Sequence, residues 1–311
     1  MTTKGLSKTI HSTDHYENFP VASFIIPKKI RKNVINVYNF ARLADDIADE
    51  GEMDSSERIR LLNIFDNVLG SKNELSAKNV KKSELESKII FTSNLVKTDL
   101  AKLNISCNLL SKLLIAFRYD SDFKIFETWQ HIFKYCENSA NPIGRILLEL
   151  FGIENTIETA QNRSSAIYAK SDAICTGLQI INFTQDAAED DHRGRPTFPK
   201  EIWPLSIKTH KNFKFSTLSA FEKKILIQKM ILKGREKLLQ GKDLPKLLMK
   251  KKSKYSFRLS LEVALIIKCG LKICEKIINE PDIVWDKSPK LKLLEFPKLF
   301  MSALFSVILK R

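Results

Sequence analysis

Apolar residues recur at intervals of three and four along most of the chain, which is the spacing of amphipathic and buried helices. The segments that carry this pattern are 27–50, 84–118, 122–152, 160–191, 218–240 and 255–279. No segment shows the sustained alternation of apolar and polar residues that is typical of a β-sheet. The pattern therefore predicts an all-α protein.

Three breaks interrupt the helical pattern, at residues 70–84, 194–204 and 241–254. None of them has the length or composition of a linker between domains. We therefore predict a single domain over residues 1–311, with a core at about 14–280 and an apolar C-terminal tail at 293–311.

The most apolar part of this tail is "LFMSALFSVIL", residues 299–309. As a helix it would reach only about 16 Å, whereas a bilayer core is about 30 Å thick. It cannot span a membrane alone. We expect it either to pack on the domain or to lie on a membrane surface.

The chain has 311 residues and a formal net charge of +15, which favours anionic partners such as nucleic acid, membrane lipid or a phosphorylated substrate. A lysine-biased composition explains the same charge equally well. No nucleic-acid-binding motif is present, so nucleic acid is not an expected partner. Lysines gather in the break at 241–254, where they either face solvent or contact anionic lipid.

The first ten residues, "MTTKGLSKTI", lack the apolar stretch of a signal peptide. The five cysteines have no CxxC spacing and are odd in number, which is typical of buried thiols in a reducing compartment. We therefore expect a cytoplasmic protein, with peripheral contact at the inner face of the membrane left open.

Polar residues form a line along the predicted helix at 27–50. Tyr38, Arg42, Asp45 and Asp49 stand at offsets of 0, 4, 7 and 11, within about 40° of one line on a helix. The rest of this helix is mostly apolar. The polar line is therefore expected to be enclosed by the protein and not to face bulk water.

The same arrangement occurs again about 140 residues later, in "GLQIINFTQDAAEDD". Here the aligned residues are Gln179, Asn182, Asp186 and Asp190. A single pair of acids four residues apart is usually a solvated helix face. Two such pairs among apolar neighbours are a stronger indication of a metal site.

Carboxylates four residues apart repel each other, and the cost rises in dry surroundings unless a cation lies between them. Two facing helices with such pairs would form a cage of hard oxygen ligands, which suits Mg²⁺ completed by phosphate oxygens of a substrate. Arg42, Arg193 and Arg195 would compensate the remaining phosphate charge. The motifs therefore predict a magnesium–diphosphate site.

At these residues the sequence resembles the squalene/phytoene synthase family. "RLADDIADE" looks like the first aspartate-rich motif of that family, and "NFTQDAAEDD" looks like the second. The resemblance covers roughly residues 14–280. Two further segments, "DHYENFPVAS" and "YCENSANPIGRILLELFG", look most like the hydroxysqualene synthases of hopanoid biosynthesis.

The resemblance implies an isoprenoid-synthase helical bundle with a central cavity and several Mg²⁺ ions. The metal ligands that it implies are Asp45, Asp49, Asn182, Asp186 and Asp190. The catalytic residues would be Asp45, Asp49, Asp186, Asp190 and Tyr38. The substrate-binding residues would be His15, Asn18, Tyr38, Arg42, Gln179 and Asn182, to which the charge argument adds Arg195.

Two positions depart from the family pattern. Thr197 stands where many relatives carry Tyr, and Gln185 stands where several phytoene-type relatives carry Arg. Both departures concern the contacts to the diphosphate and leave the implied metal ligands in place.

The implied reaction is the Mg²⁺-dependent ionisation of presqualene diphosphate, followed by capture of water to give hydroxysqualene. Aromatic faces such as Phe40, Tyr38 and Phe183 could stabilise the cation, although ordinary packing is the commoner role of each. No NADPH is expected. Neighbouring enzymes of the squalene and hopanoid pathway are possible partners.

Three alternatives remain open at this point. The chain could condense two prenyl diphosphates head to head to presqualene diphosphate, squalene or a phytoene-type product. It could be a non-catalytic relative that serves as a binding or assembly protein, although such relatives tend to lose the acids. It could also be a basic nucleic-acid binder, whose affinity would fall steeply with salt.

Overall fold

Helices make up nearly all the regular structure of this chain. The computed structural model describes residues 24–71, 83–153, 163–205, 207, 214–251 and 253–309. The first helices are α1 (Lys28–Asp49), α2 (Ser55–Gly70), α3 (Glu84–Ala101), α4 (Asn108–Ser121), α5 (Trp129–Ser139), α6 (Asn141–Leu150) and α7 (Arg163–Gln185). They are followed by α8 (Ala187–His192), α9 (Ala220–Gln240), α10 (Leu244–Met249), α11 (Ser256–Asn279), α12 (Ile283–Asp286) and α13 (Phe296–Ile308). No β-strand occurs in these ranges, which confirms the all-α prediction.

Local sequence signals explain several helix starts. Asp54 accepts a hydrogen bond from the backbone N–H of Glu57 and caps α2. Ser83 with Glu86 caps α3, and Ser219 with Glu222 caps α9, in reciprocal capping boxes. These side chains satisfy N–H groups that the first turn of a helix leaves without an internal partner.

The helices begin and end at residues that differ from those predicted by hydrophobic spacing. The predicted helix at 84–118 is two helices, α3 and α4, because Asn104 takes a left-handed conformation with φ 56° between them. The predicted helix at 122–152 is also two, since Pro142 stands in the first turn of α6. Helix α2 was not predicted, and the break at 241–254 contains α10.

One hydrophobic core runs through the molecule, with buried members from Ile25 to Val307. Its centre is the crossing of α7 and α9, where Gly177 lies against Gly234 and Leu238. A Cβ atom added at Gly177 would lie 2.6 Å from the backbone nitrogen of Leu238. Only glycine therefore permits the two backbones to approach so closely. This close packing fixes the position of α7, which carries the second acidic motif at its C-terminal end.

The C-terminal tail packs on the domain through α13, whose Ala303 and Val307 are buried against the core. The other side of α13 is exposed, with Met301, Phe305 and Ile308 on the surface. Among the described residues, no helix combines the length and the apolar character needed to cross a membrane.

Candidate active site

The first acidic motif lies on the last turns of α1. Phe40, Ala44 and Ile47 bury one side of this helix in the core, so the polar line is turned away from it. Arg42 folds along the polar line and forms ion pairs with Asp46 at 2.8 Å and with Asp45 at 3.5 Å. The polar line is partly enclosed: the side chain of Arg42 is 24% exposed and that of Asp45 is 44% exposed.

A cavity of about 430 Å³ opens beside this motif. Tyr38, Arg42 and Asp45 line it from α1, and Gln179 lines it from α7. The structure therefore brings together four of the predicted site residues. Most of the other wall is apolar and is formed by Ile26, Val34, Val37, Phe117, Ile143, Ile146, Leu147, Leu150 and Ile266. The cavity thus has a charged end and a hydrocarbon-lined remainder.

The second acidic motif spans a break between two helices. Helix α7 ends at Gln185, and Asp186 leads into the short helix α8. Asn182 donates a hydrogen bond to Asp186 at 2.9 Å, and the hydroxyl of Ser288 donates to the same carboxylate at 3.2 Å. The expected continuous helix over 160–191 is therefore interrupted at one of the predicted ligands.

Both acids of the second motif have raised pKa values. Burial raises the pKa of Asp186. Burial, together with the charge of Asp186, raises the pKa of Asp190 to about 7. Thr197 donates a hydrogen bond to Asp190 at 3.1 Å and partly offsets this shift. These carboxylates are thus poised to take up either a proton or a cation.

Arginines connect the two motifs. Arg195 forms an ion pair with Asp49, and Arg193 lies 3.4 Å from the same carboxylate. Arg195 also lies close enough to Asp120 and Asp190 to interact electrostatically with both. The guanidinium is thus surrounded by carboxylates from three separate parts of the chain, and it packs over the ring of Phe123 at 5.7 Å.

The two departures from the family pattern both have contacts in this structure. The hydroxyl of Thr197 donates its hydrogen bond to Asp190. The side-chain amide of Gln185 donates to the carbonyl of Pro289 at 2.5 Å, which fixes the segment that carries Ser288. Thr197 therefore supports the second acidic motif directly, and Gln185 supports it through the segment that carries Ser288.

Three further residues at the site were missed by sequence reasoning. Asp120, at the end of α4, accepts a hydrogen bond from the hydroxyl of Tyr135 at 2.9 Å. Burial, reinforced by the charges of Asp49 and Asp45, raises the pKa of Asp120 to about 8. Glu262 on α11 is only 4% exposed and lines the cavity. A charged residue inside the apolar run "LSLEVALII" was the one signal that could have identified Glu262.

Not all predicted residues meet in one place. Asp186 pairs with Asn182 and Ser288, on the α8 side of the site, while Asp45 lies on the cavity side with Arg42. In the part of the chain that the structure describes, no three His, Cys, Asp or Glu side chains are grouped closely enough to hold a metal ion by themselves. His15 and Asn18 lie outside the described residues.

The chain matches known proteins over most of its length. Residues 12–295 match the family model described as squalene/phytoene synthase. The hydroxysqualene synthase of Sinorhizobium fredii is 32% identical over 174 residues, which is 56% of this chain and 51% of that protein. The hydroxysqualene synthase of Rhodopseudomonas palustris is 33% identical over 178 residues, which is 57% of this chain and 53% of that protein. These alignments thus span about half the length of each curated relative.

Solved structures share the fold. The squalene synthase HpnC of Alicyclobacillus acidocaldarius superposes with a TM-score of 0.61 at 24% identity, covering 86% of this chain and 89% of that one. A dehydrosqualene synthase crystallised with a ligand has a TM-score of 0.62 at 16% identity, covering 92% and 90%. At these identities the likeness concerns the fold alone, and it confirms the helical architecture of this class.

Proposed function

Since the chain belongs to the squalene/phytoene synthase family, we propose that it ionises presqualene diphosphate and adds water to give hydroxysqualene and diphosphate. The observation that carries this proposal is the cavity with one charged end and hydrocarbon-lined walls. Such a shape suits an ester of diphosphate with a long prenyl chain. The similarity to relatives named hydroxysqualene synthase supports the choice of reaction.

The donor chemistry of the two acidic motifs fits Mg²⁺. The ligands would be Asp45, Asp49, Asn182, Asp186 and Asp190, all of which offer hard oxygen atoms. The raised pKa values of Asp186 and Asp190 support this fit, because a nearby cation would stabilise their charged forms. When bound, the ion supplies Lewis-acid charge to the departing diphosphate.

The arginines of the site would bind the diphosphate. Arg195 and Arg193 stand between the two motifs, and a phosphate oxygen can replace the carboxylate of Asp49 as their partner. The C–O bond of the ester then breaks, and its electron pair leaves with the diphosphate. The guanidinium groups stabilise the charge that develops on the leaving oxygen.

The apolar walls would protect the carbocation that remains. The hydrocarbon side chains of α1 and α6 exclude bulk water, so the cation survives long enough to rearrange. Glu262, a buried acid that lines the cavity, would orient a single water molecule for attack on the cation. As the new C–O bond forms, the water gives up one proton to this carboxylate, and the alcohol is released.

Product analysis tests this proposal. Purified full-length protein is incubated separately with presqualene diphosphate and with farnesyl diphosphate, each with and without Mg²⁺ and NADPH, and the products are identified by mass spectrometry. We expect hydroxysqualene from presqualene diphosphate with Mg²⁺ alone. Product from farnesyl diphosphate, or squalene that requires NADPH, would overturn the proposal in favour of head-to-head condensation.

A further inference from the structure

Helix α13 presents an apolar stripe to the outside of the molecule. Met301, Phe305 and Ile308 are 45%, 54% and 44% exposed, while Ala303 and Val307 on the opposite side are buried. At 100° per residue the three exposed residues lie within about 60° of arc. Leu309, 80% exposed, continues the stripe. A helix packed at the edge of a water-soluble domain usually carries polar residues on this side.

An exposed aromatic residue packs beside α13. Phe24 is 73% exposed, and its ring centroid lies 5.7 Å from that of Phe300 on α13. Phe91 on α3, by contrast, is 69% exposed but lies on a helix with no substantial contact to α13. Single exposed apolar residues are ordinary, whereas a contiguous patch marks an interaction surface.

Two groups of basic side chains border α13. Lys242, Lys246 and Lys268 line a groove of about 210 Å³ that also includes Ser306 and Val307 of α13. A second group surrounds Phe24 and consists of Lys28, Arg31, Lys254 and Arg258. Asp243 is the one acidic residue in the lining of these two cavities.

We propose that the α13 stripe and its two basic borders dock this protein on a bilayer that contains anionic lipid. The apolar side chains would enter the boundary between headgroups and acyl chains, and the lysines and arginines would contact the phosphates. A second copy of the chain fits this surface poorly, because a symmetric pair would bring the same basic groups together. The net charge of +15 adds to that repulsion.

The docking surface adjoins the substrate cavity. Ile26, two residues after Phe24, lines the cavity, and Pro27 and Lys28 line the basic pocket around Phe24. A hydrophobic substrate or product would therefore have a short path between the cavity and the bilayer. The docking proposal does not depend on which prenyl diphosphate is the substrate.

Vesicle binding tests the proposal without any enzymatic assay. The full-length protein is sedimented with vesicles of phosphatidylcholine alone and with vesicles that also contain phosphatidylglycerol. We expect binding to the anionic vesicles, weakened by salt, and at least about tenfold weaker binding for Phe305→Glu and for the double variant Lys242→Glu/Lys246→Glu. Matched controls are Phe91→Glu on α3 and Lys112→Glu on α4, two helices without substantial contact to α13, and both variants should bind as wild type does.

A second measurement covers the case in which Phe305→Glu does not fold. In Phe305→Trp, brominated lipid should quench the added tryptophan fluorescence, whereas in Phe91→Trp it should not. Equal quenching at the two positions, or equal binding to neutral and anionic vesicles, would overturn the proposal. A dimer in sedimentation velocity that Phe305→Glu converts to monomer would also overturn it, because a second copy of the chain would then cover this surface.

Discussion

Arg195 pairs with Asp49 across 146 residues of sequence and so joins the second acidic motif to the first. The guanidinium also interacts with Asp120 and Asp190. One cation therefore compensates several acids whose helices approach each other only in the folded chain. In the proposed reaction, the same cation would bind the diphosphate.

The first prediction concerns this arginine. Arg195→Gln should raise the KM for presqualene diphosphate and lower kcat/KM by about 10²-fold or more, since it removes a charge-assisted contact to the leaving group. Arg193→Gln should cause a smaller loss, because the side chain of Arg193 is 41% exposed and solvent screens its contact with the diphosphate. Steady-state kinetics of diphosphate release measures both. A larger loss of kcat/KM in the Arg193 variant than in the Arg195 variant would show that Arg193 is the main contact of the diphosphate.

The second prediction concerns the acids of the two motifs. Asp45→Asn and Asp186→Asn should each lower diphosphate release by about 10²-fold or more while the fold stays intact, because each replaces a negatively charged carboxylate ligand of Mg²⁺ with a neutral amide. Asp243→Asn, on an exposed side chain outside the site, should retain wild-type turnover. Wild-type-like release by either motif variant would remove the basis for the magnesium site.

The third prediction separates two neighbouring acids. Asp191 accepts hydrogen bonds from the backbone N–H groups of Phe215 and Ser216, so Asp191→Ala should destabilise the protein by about 1–3 kcal/mol. Asp190→Asn removes a charge that burial disfavours, so it should leave the melting temperature unchanged or raised and abolish diphosphate release. Thermal unfolding followed by circular dichroism distinguishes the two variants. Equal destabilisation by both would contradict these assignments.

The fourth prediction concerns Glu262. In Glu262→Gln, diphosphate release should stay within about threefold of wild type, because the ionising end of the cavity is unchanged. The fraction of hydroxysqualene should fall by about tenfold or more in favour of C30 hydrocarbons, since the carboxylate no longer takes a proton from water. Mass spectrometry of the products measures this ratio.

A control on the same helix separates this effect from a general one. Glu275 is exposed and forms an ion pair with Lys272, so Glu275→Gln should leave the product ratio unchanged. A wild-type product ratio in Glu262→Gln would exclude this acid as the group that directs water.

Helical spacing and the two acidic motifs were readable in the sequence because each is a local pattern. The spacing predicted the all-α class, which the structure and the family match confirm. Spacing alone did not place the breaks after α3 and α5, since apolar periodicity continues across them. Asn104 and Pro142 were the residues that signalled those breaks.

Asp120 and Tyr135 could not have been assigned to the site from sequence. Each is one of several polar residues on a helix that follows the ordinary amphipathic pattern. Their meeting depends on the packing of α4 on α5, a tertiary contact that no local motif encodes. The charges of Asp45 and Asp49 reach Asp120 through a second tertiary contact, the packing of α1 on α4.

The glycine contact between α7 and α9 limits how this protein could be redesigned for longer or shorter substrates. A side chain larger than hydrogen at Gly177 would clash with the backbone of Leu238, so larger residues cannot be introduced where α7 packs on α9. Ile143 and Leu147 of α6, by contrast, line the cavity with side chains that can be exchanged for larger or smaller apolar ones. Engineering of product length should therefore begin on α6.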